Sequence, residues 1–181
     1  EEPVSVFSLC ENIMDDPKLP MHCPYHHYLI PAVLLTAASR ISGETEEMLQ
    51  KRLKTARERA GTVPGGCCGQ FGCCGAAVGA GIFACVWRGS TPLSKTGWAA
   101  GNEMTARCLS AIASVEGPRC CKRVTYLTFS AALPAAREFL GLDLGEIPEH
   151  TCHHFNQSRE CRGTACPFFP KKKKSGIING G

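Results

Sequence analysis

The chain has 181 residues, 44% of them hydrophobic and 20% charged, a balance that predicts one folded domain with a real core and excludes fibrous, collagen-like and wholly disordered classes. The net charge is +4, and the run Lys171 to Lys174 supplies the whole excess of 20 basic over 16 acidic side chains; a neutral body with a basic tail argues against nucleic-acid binding by the folded part. The anomaly is cysteine, 13 residues, or about 7% of the chain, far above ordinary usage.

Residues 1–22 read as an irregular segment broken by Pro3, Pro17 and Pro20. With Glu1, Glu2, Glu11, Asp15 and Asp16 it has neither the cationic start nor the apolar core of a secretion signal. Tyr28 to Ser42 predicts a buried helix, with Pro31 in its first turn and Gly43 closing it. Thr45 caps a charged helix over 46–60, where Glu47 and Lys51 pair at i,i+4. This helix reads as a solvated surface. Residues 61–75 form a glycine-rich loop holding Cys67, Cys68, Cys73 and Cys74. A small-residue helix over 76–87 follows, in which Gly79, Ala80 and Gly81 admit a close neighbour. Further helices are predicted over 95–115 and 124–140, separated by Gly117-Pro118, with Pro134 as a kink or break and Gly141 as the stop. From Asp143 the chain reads as irregular and cysteine-bearing, and 170–181 as a flexible basic tail. The only strand candidate, Val124 to Phe129, reads equally well as helix.

The expected fold is therefore mainly α: a single helical domain over 23–169, with cysteine-rich loops gathered around a metal site. The longest apolar stretch, Tyr28 to Ile41, contains Pro31 and Arg40 and is too short to span a bilayer. The expected compartment is the reducing cytoplasm, where many thiols point to metal or redox work rather than disulfides. An odd count would also leave one thiol unpaired.

The cysteines fall in four places, each irregular or at a helix start: Cys23; Cys67-Cys68 with Cys73-Cys74; Cys120-Cys121, flanked by Arg119, Lys122 and Arg123; and Cys152, Cys161 and Cys166. Thiolate ligands belong on turns, because the backbone must curl around the metal, and neighbouring glycines permit that. Cys166-Pro167 matches the Cys-Pro that closes many iron–sulfur ligand runs. The helix after Cys74 offers its N-terminal N–H groups, from Gly75, Ala76 and Ala77, to an anionic cluster, and Arg119 adds positive charge. The spacings Cys68 to Cys74, Cys152 to Cys161 and Cys161 to Cys166 are not zinc knuckles. His150, His153 and His154 beside Cys152 keep a mixed zinc site as an alternative. Cys85 and Cys108 read as buried and inert, and Cys10 is left open. His26 or His27 is a candidate non-cysteine ligand or proton donor. Asn102 and Glu103 are polar candidates for an approach to the site.

Together the segments C-P-Y-H-H-Y-L-I-P-A (23–32), G-C-C-G-Q-F-G-C-C-G-A-A-V-G-A-G-I-F (66–83), N-E-M-T-A (102–106), G-P-R-C-C-K-R (117–123) and N-Q-S-R-E-C-R-G-T-A-C-P-F-F (156–169) carry a resemblance. They resemble an uncharacterised cysteine-rich domain family of archaea and anaerobic bacteria, found beside or fused to radical SAM proteins and SAM-dependent methyltransferases. In that family's pattern, C-G-x-x-G-x-C-G, the cysteines fall on Cys68 and Cys74, which makes Cys67 and Cys73 departures of this chain. The resemblance implies anaerobic iron–sulfur biology without supplying a reaction.

The leading expectation is an iron–sulfur protein with one or two clusters of the 4Fe-4S type. One would be held by Cys23, Cys68, Cys74 and one of Cys120 or Cys121. A second would use Cys152, Cys161 and Cys166 with the other vicinal cysteine. The expected role is accessory electron or sulfur transfer to a radical SAM enzyme or methyltransferase, with no membrane partner. The alternatives are a zinc-stabilised interaction module, an iron–sulfur lyase with one open iron, and a thiol redox enzyme using Cys120-Cys121 with a pKa lowered by its basic neighbours.

Overall fold

A computed structural model describes residues 5–171; most of the basic run and of the 170–181 tail lies outside them. Seven α-helices follow in order: α1 (Val6–Met14), α2 (Tyr25–Ile41), α3 (Glu46–Gly61), α4 (Cys67–Gln70), α5 (Gly75–Arg88), α6 (Trp98–Ala113) and α7 (Cys121–Leu140). Two short 3-10 turns, Phe155–Gln157 and Gly163–Ala165, punctuate the last segment. Among the described residues there is no strand, and no helix is long and apolar enough to cross a membrane. The fold is mainly helical, as the patterning implies.

Helix α5 is the centre, packed by α2, α3, α6 and α7. A helix enclosed on several sides must be apolar around its circumference and slim, and G-A-A-V-G-A-G-I-F-A satisfies both. On the α2 side, Gly79 lies against the His27 carbonyl oxygen and Pro31 Cδ. Helix α2 starts three residues earlier than its sequence pattern suggests, so Pro31 sits inside it rather than in its first turn. Proline has no N–H for the His27 carbonyl, and the backbone of α5 approaches at that freed carbonyl. On the α6 side, Gly81 faces Thr105 and the Gly101 carbonyl.

Three further departures from the sequence expectation matter for the site. Residues 6–14, expected to be irregular, form α1; Ser5 Oγ accepts from the Ser8 N–H at 3.2 Å, and Val6, Cys10 and Met14 are buried at helical spacing. One turn of helix, α4, lies inside the glycine-rich loop. Helix α7 begins at Cys121 rather than 124 and continues through Pro134 to Leu140, where Gly141 takes φ 70°. Helix α3 is charged as expected and capped by Thr45, but it is also anchored: Arg52 pairs with Glu44 and donates to the Val86 and Trp87 carbonyls at 3.0 and 3.2 Å. The last segment folds back on α1 and α7. Phe168 and His150 pack on Tyr126, and the Cys152 N–H donates to the Phe168 carbonyl at 2.7 Å.

Candidate metal centre

The N-terminal ends of α2, α5 and α7 and the turn α4 converge on a cavity of about 640 Å³. Six cysteines line it: Cys23, Cys67, Cys68, Cys74, Cys120 and Cys121, together with His22, His26, His27 and Arg119. Cys23 precedes α2 and neighbours Cys121, the first residue of α7; the Cys23 N–H favours the Cys121 thiolate. Cys67, Cys68 and Cys74 form a second group close enough to feel one another's charge.

Burial dominates the thiol electrostatics. It raises Cys67, Cys74 and Cys120 above the ordinary thiol value and pushes Cys121 up to about 11. A thiolate held there requires a cation beside it. The first turn of α5 works in the same direction: the Gly75 N–H favours the Cys67 thiolate, and those of Ala76 and Ala77 favour Cys74, where the helix dipole is positive. Position 75 must be glycine, because a Cβ there would overlap the His27 ring.

His26 is 1% exposed, with Nδ1 at 3.2 Å from the Cys23 carbonyl oxygen and 3.4 Å from Cys23 Sγ, while Nε2 has no partner. Burial lowers its pKa to about 4, so the ring is neutral near pH 7. Nδ1–H is then the donor to Cys23, and Nε2 is left with a free lone pair.

The two members of the vicinal pair differ in backbone and surroundings. Cys120 is extended, with φ −145° and ψ 108°, and Cys121 opens the helix. Cys120 also lines a second, enclosed cavity of about 20 Å³ with Cys152, Cys161, Cys166, Phe168 and Phe169. Burial pushes Cys152 up to about 11, and the charges of Cys120, Cys166 and Cys161 add to the shift. Backbone N–H groups again aim at sulfur: Arg123 to Cys120 and Gly163 to Cys161, both at 3.5 Å. The two cavities thus share Cys120 and Arg123 in their linings. His22 stands between them, accepting from the Cys121 N–H at 3.5 Å while its Nε2 lies 3.3 Å from Ser158 Oγ. Lys122, 1% exposed, donates to the Met14 carbonyl at 2.7 Å; burial lowers its pKa, and the charges of Cys10, Cys23 and Cys121 oppose that.

The donor set bears on which metal would suit it. Four thiolates on one zinc, with Zn–S about 2.3 Å, stand about 3.8 Å apart. Among the described residues, the only three or more His, Cys, Asp or Glu ligand atoms within 4.8 Å of one another belong to Glu11, His153 and His154. No three thiols are gathered that closely. A polynuclear cluster takes its thiolates on different irons and so does not require a thiol trio that close.

The structure thus brings Cys23, Cys68, Cys74, Cys121, Gly75, Ala76 and Arg119 to the first cavity, Cys152, Cys161 and Cys166 to the second, and Cys120 to both. Cys67 also lines the first. Cys10 and Cys108 are core residues away from both cavities; Cys108 Sγ faces the Thr128 carbonyl at 3.7 Å, and burial pushes its pKa up to about 12. Cys85 packs against Gly101. Asn102 and Glu103 do not approach the site: both are exposed, and Asn102 Nδ2 donates to the Trp98 carbonyl. His150 is stacked among Phe7, Tyr126 and Phe168 rather than offered to a metal. The expected lowering of the Cys120 and Cys121 pKa values by basic neighbours is outweighed by burial. Sequence reasoning missed His22, whose partners lie 99 and 136 residues away.

No curated protein and no solved structure matches the chain. A match to one family spans residues 1–169 and takes in every cysteine of both cavities. The chain belongs to DUF5714, a family of unknown function.

Proposed function

We propose that this protein holds iron–sulfur clusters at its two thiol-lined cavities and serves as an accessory carrier of electrons or sulfur to a partner enzyme. The observation that carries the reading is that Cys120 lines both of two neighbouring cavities while Cys121 lines only the first, and that each cavity is supplied with further thiols. Cys23, Cys68, Cys74 and Cys121 would hold one cluster; Cys120, Cys152, Cys161 and Cys166 would hold the other once the last segment moves outward, since the second cavity, about 20 Å³, has room for about one water as it stands. Clusters ligated by cysteine at every iron supply one-electron transfer. The chain's own contribution is to exclude water with Phe168 and Phe169, to direct N–H groups at the sulfurs, and to set Arg119 beside the first cavity.

A partner surface is available at the first cavity. Tyr25 and Phe71, 67% and 68% exposed, each adjoin a cavity-lining residue, Pro24 and Gly72. Exposed aromatics beside a site suit a docking face. The resemblance carried by the cysteine segments suggests a radical SAM enzyme or SAM-dependent methyltransferase as partner, in a reducing cytoplasm. The competing reading is a zinc-stabilised module; the lack of a close thiol trio among the described residues weighs against a thiolate zinc site.

The test is metal and acid-labile sulfide content on protein purified without oxygen, with a visible spectrum. Iron with matching sulfide, and a broad band near about 400 nm that dithionite bleaches, supports the reading. Zinc alone, or titrating thiols without metal, refutes it.

A further inference from the structure

A second kind of site lies where α1 meets the last segment, apart from the clustered thiols. Glu11 and Asp15 lie four residues apart in and just beyond α1. His153 and His154 occupy the bend after Cys152, ahead of the 3-10 turn at Phe155. One ligand atom from each of Glu11, His153 and His154 lies within 4.8 Å of the others. His153 Nδ1 is 3.4 Å from Glu11 Oε2, and its Nε2 is 2.6 Å from Asp15 Oδ1. His154 is 1% exposed, and its Nε2 has no hydrogen-bond partner. That nitrogen faces the same Asp15 oxygen at 3.6 Å, beyond hydrogen-bond reach. A buried, unpartnered imidazole nitrogen aimed at carboxylates is costly unless something occupies the gap.

We infer that Glu11, His153 and His154 form a mononuclear site for a divalent cation of the zinc class, with Asp15 orienting His153 through its Nε2. Two imidazoles and one carboxylate suit a borderline cation such as zinc, cobalt or ferrous iron better than calcium or magnesium. The surroundings already orient the ligands. The Tyr126 hydroxyl donates to Glu11 Oε1 at 2.8 Å, which leaves Oε2 toward the histidines. The two imidazoles lie side by side, ring centroids 4.1 Å apart. His153 and Asp15 are half exposed, which gives the cation a path in. The backbone there is a bend rather than a helix, so adjacent histidines can turn to one side. The cation would tie α1 to the segment that carries Cys152, Cys161 and Cys166, and so fix Cys152 from outside its cavity.

The site is independent of the cluster reading, and the test keeps the two apart. Cobalt(II) is added to the anaerobically purified full-length protein, and the difference spectrum between wild type and His153→Gln is recorded. His153 is half exposed, so that variant keeps the fold, and Glu11→Gln provides a second. The expected result is one equivalent of cobalt with weak visible bands and no intense near-ultraviolet thiolate band. Both variants should weaken it by more than about tenfold, while added zinc displaces it. Cobalt binding equal in wild type and both variants, a difference spectrum dominated by thiolate bands, or no binding in wild type would each overturn the inference.

Discussion

The crossing of α2 and α5 sets the geometry of the first cavity, because Cys23 and His26 start one helix and Cys74 and Gly75 start the other. Gly79→Ala tests that crossing. A Cβ at position 79 would stand 2.5 Å from the His27 carbonyl oxygen and 3.1 Å from both Ile30 Cβ and Pro31 Cδ. An ordinary contact begins at 3.4 Å, so the helices must part locally by about 0.9 Å. Backbone atoms and a proline ring are the obstacles, and neither can swing aside. Overpacking of this kind costs about 1–3 kcal/mol. Replacing a helical glycine returns about 0.5–1 kcal/mol. The net expectation is a loss of about 1–2 kcal/mol, or about 2–8 °C in Tm for a chain of this length. Gly61→Ala is the control, since nothing lies within 4 Å of its added Cβ; it should be neutral or slightly stabilising. Thermal and urea unfolding of the three proteins give the comparison. A Gly79→Ala protein as stable as Gly61→Ala would refute the close approach and the account of the cavity built on it.

His26 and His154, both held near pKa 4 by burial against an ordinary 6.5, make the unfolded chain bind more protons between those values; stability is therefore full above about pH 6.5 and falls as pH drops toward 4. Tm measured across that range should show the slope, and His26→Gln should flatten it; an unchanged slope contradicts the burial argument. Lys122→Ala removes the donor to the Met14 carbonyl and empties its buried space, a loss of about 2–4 kcal/mol by urea unfolding. Lys122→Met, which keeps the volume, should lose less, and equal losses would show that packing is not at issue. Cys108→Ala should cost about 1 kcal/mol in stability while leaving metal content untouched, because its thiol faces the Thr128 carbonyl rather than either cavity; a drop in bound metal would place it wrongly.

Much of the helical scaffold is legible in the chain. The small-residue run before Phe83, the Thr45 cap and the Gly141 stop each declare themselves through a local rule, and each appears where that rule puts it. Short elements are harder. Helix α1 rests on three buried residues and a serine cap between prolines, and α4 is one turn whose cysteines have no strong helical preference. The starts of α2 and α7 come early because Pro24 and Cys120, unconventional caps, serve them. Thiol grouping by turn and glycine is visible in the letters, but the place of Cys120 in both cavities is not. It depends on an extended residue meeting a helix start, and on a segment over thirty residues downstream folding back. The same holds for Glu11 and Asp15 with His153, a contact between residues up to 142 apart in the chain. Long-range convergence of this kind leaves no periodic trace.

The central claim is that the two cavities are separate cluster sites divided at Cys120 and Cys121. The measurement that tests it most directly is iron and sulfide content per chain, on anaerobically purified wild type, Cys121→Ala and Cys161→Ala. The account predicts about eight irons in wild type and about four in each single variant. The two variants should keep spectroscopically distinct remaining clusters. Iron that is absent in wild type, or that disappears entirely when either cysteine is replaced, would contradict two separate sites.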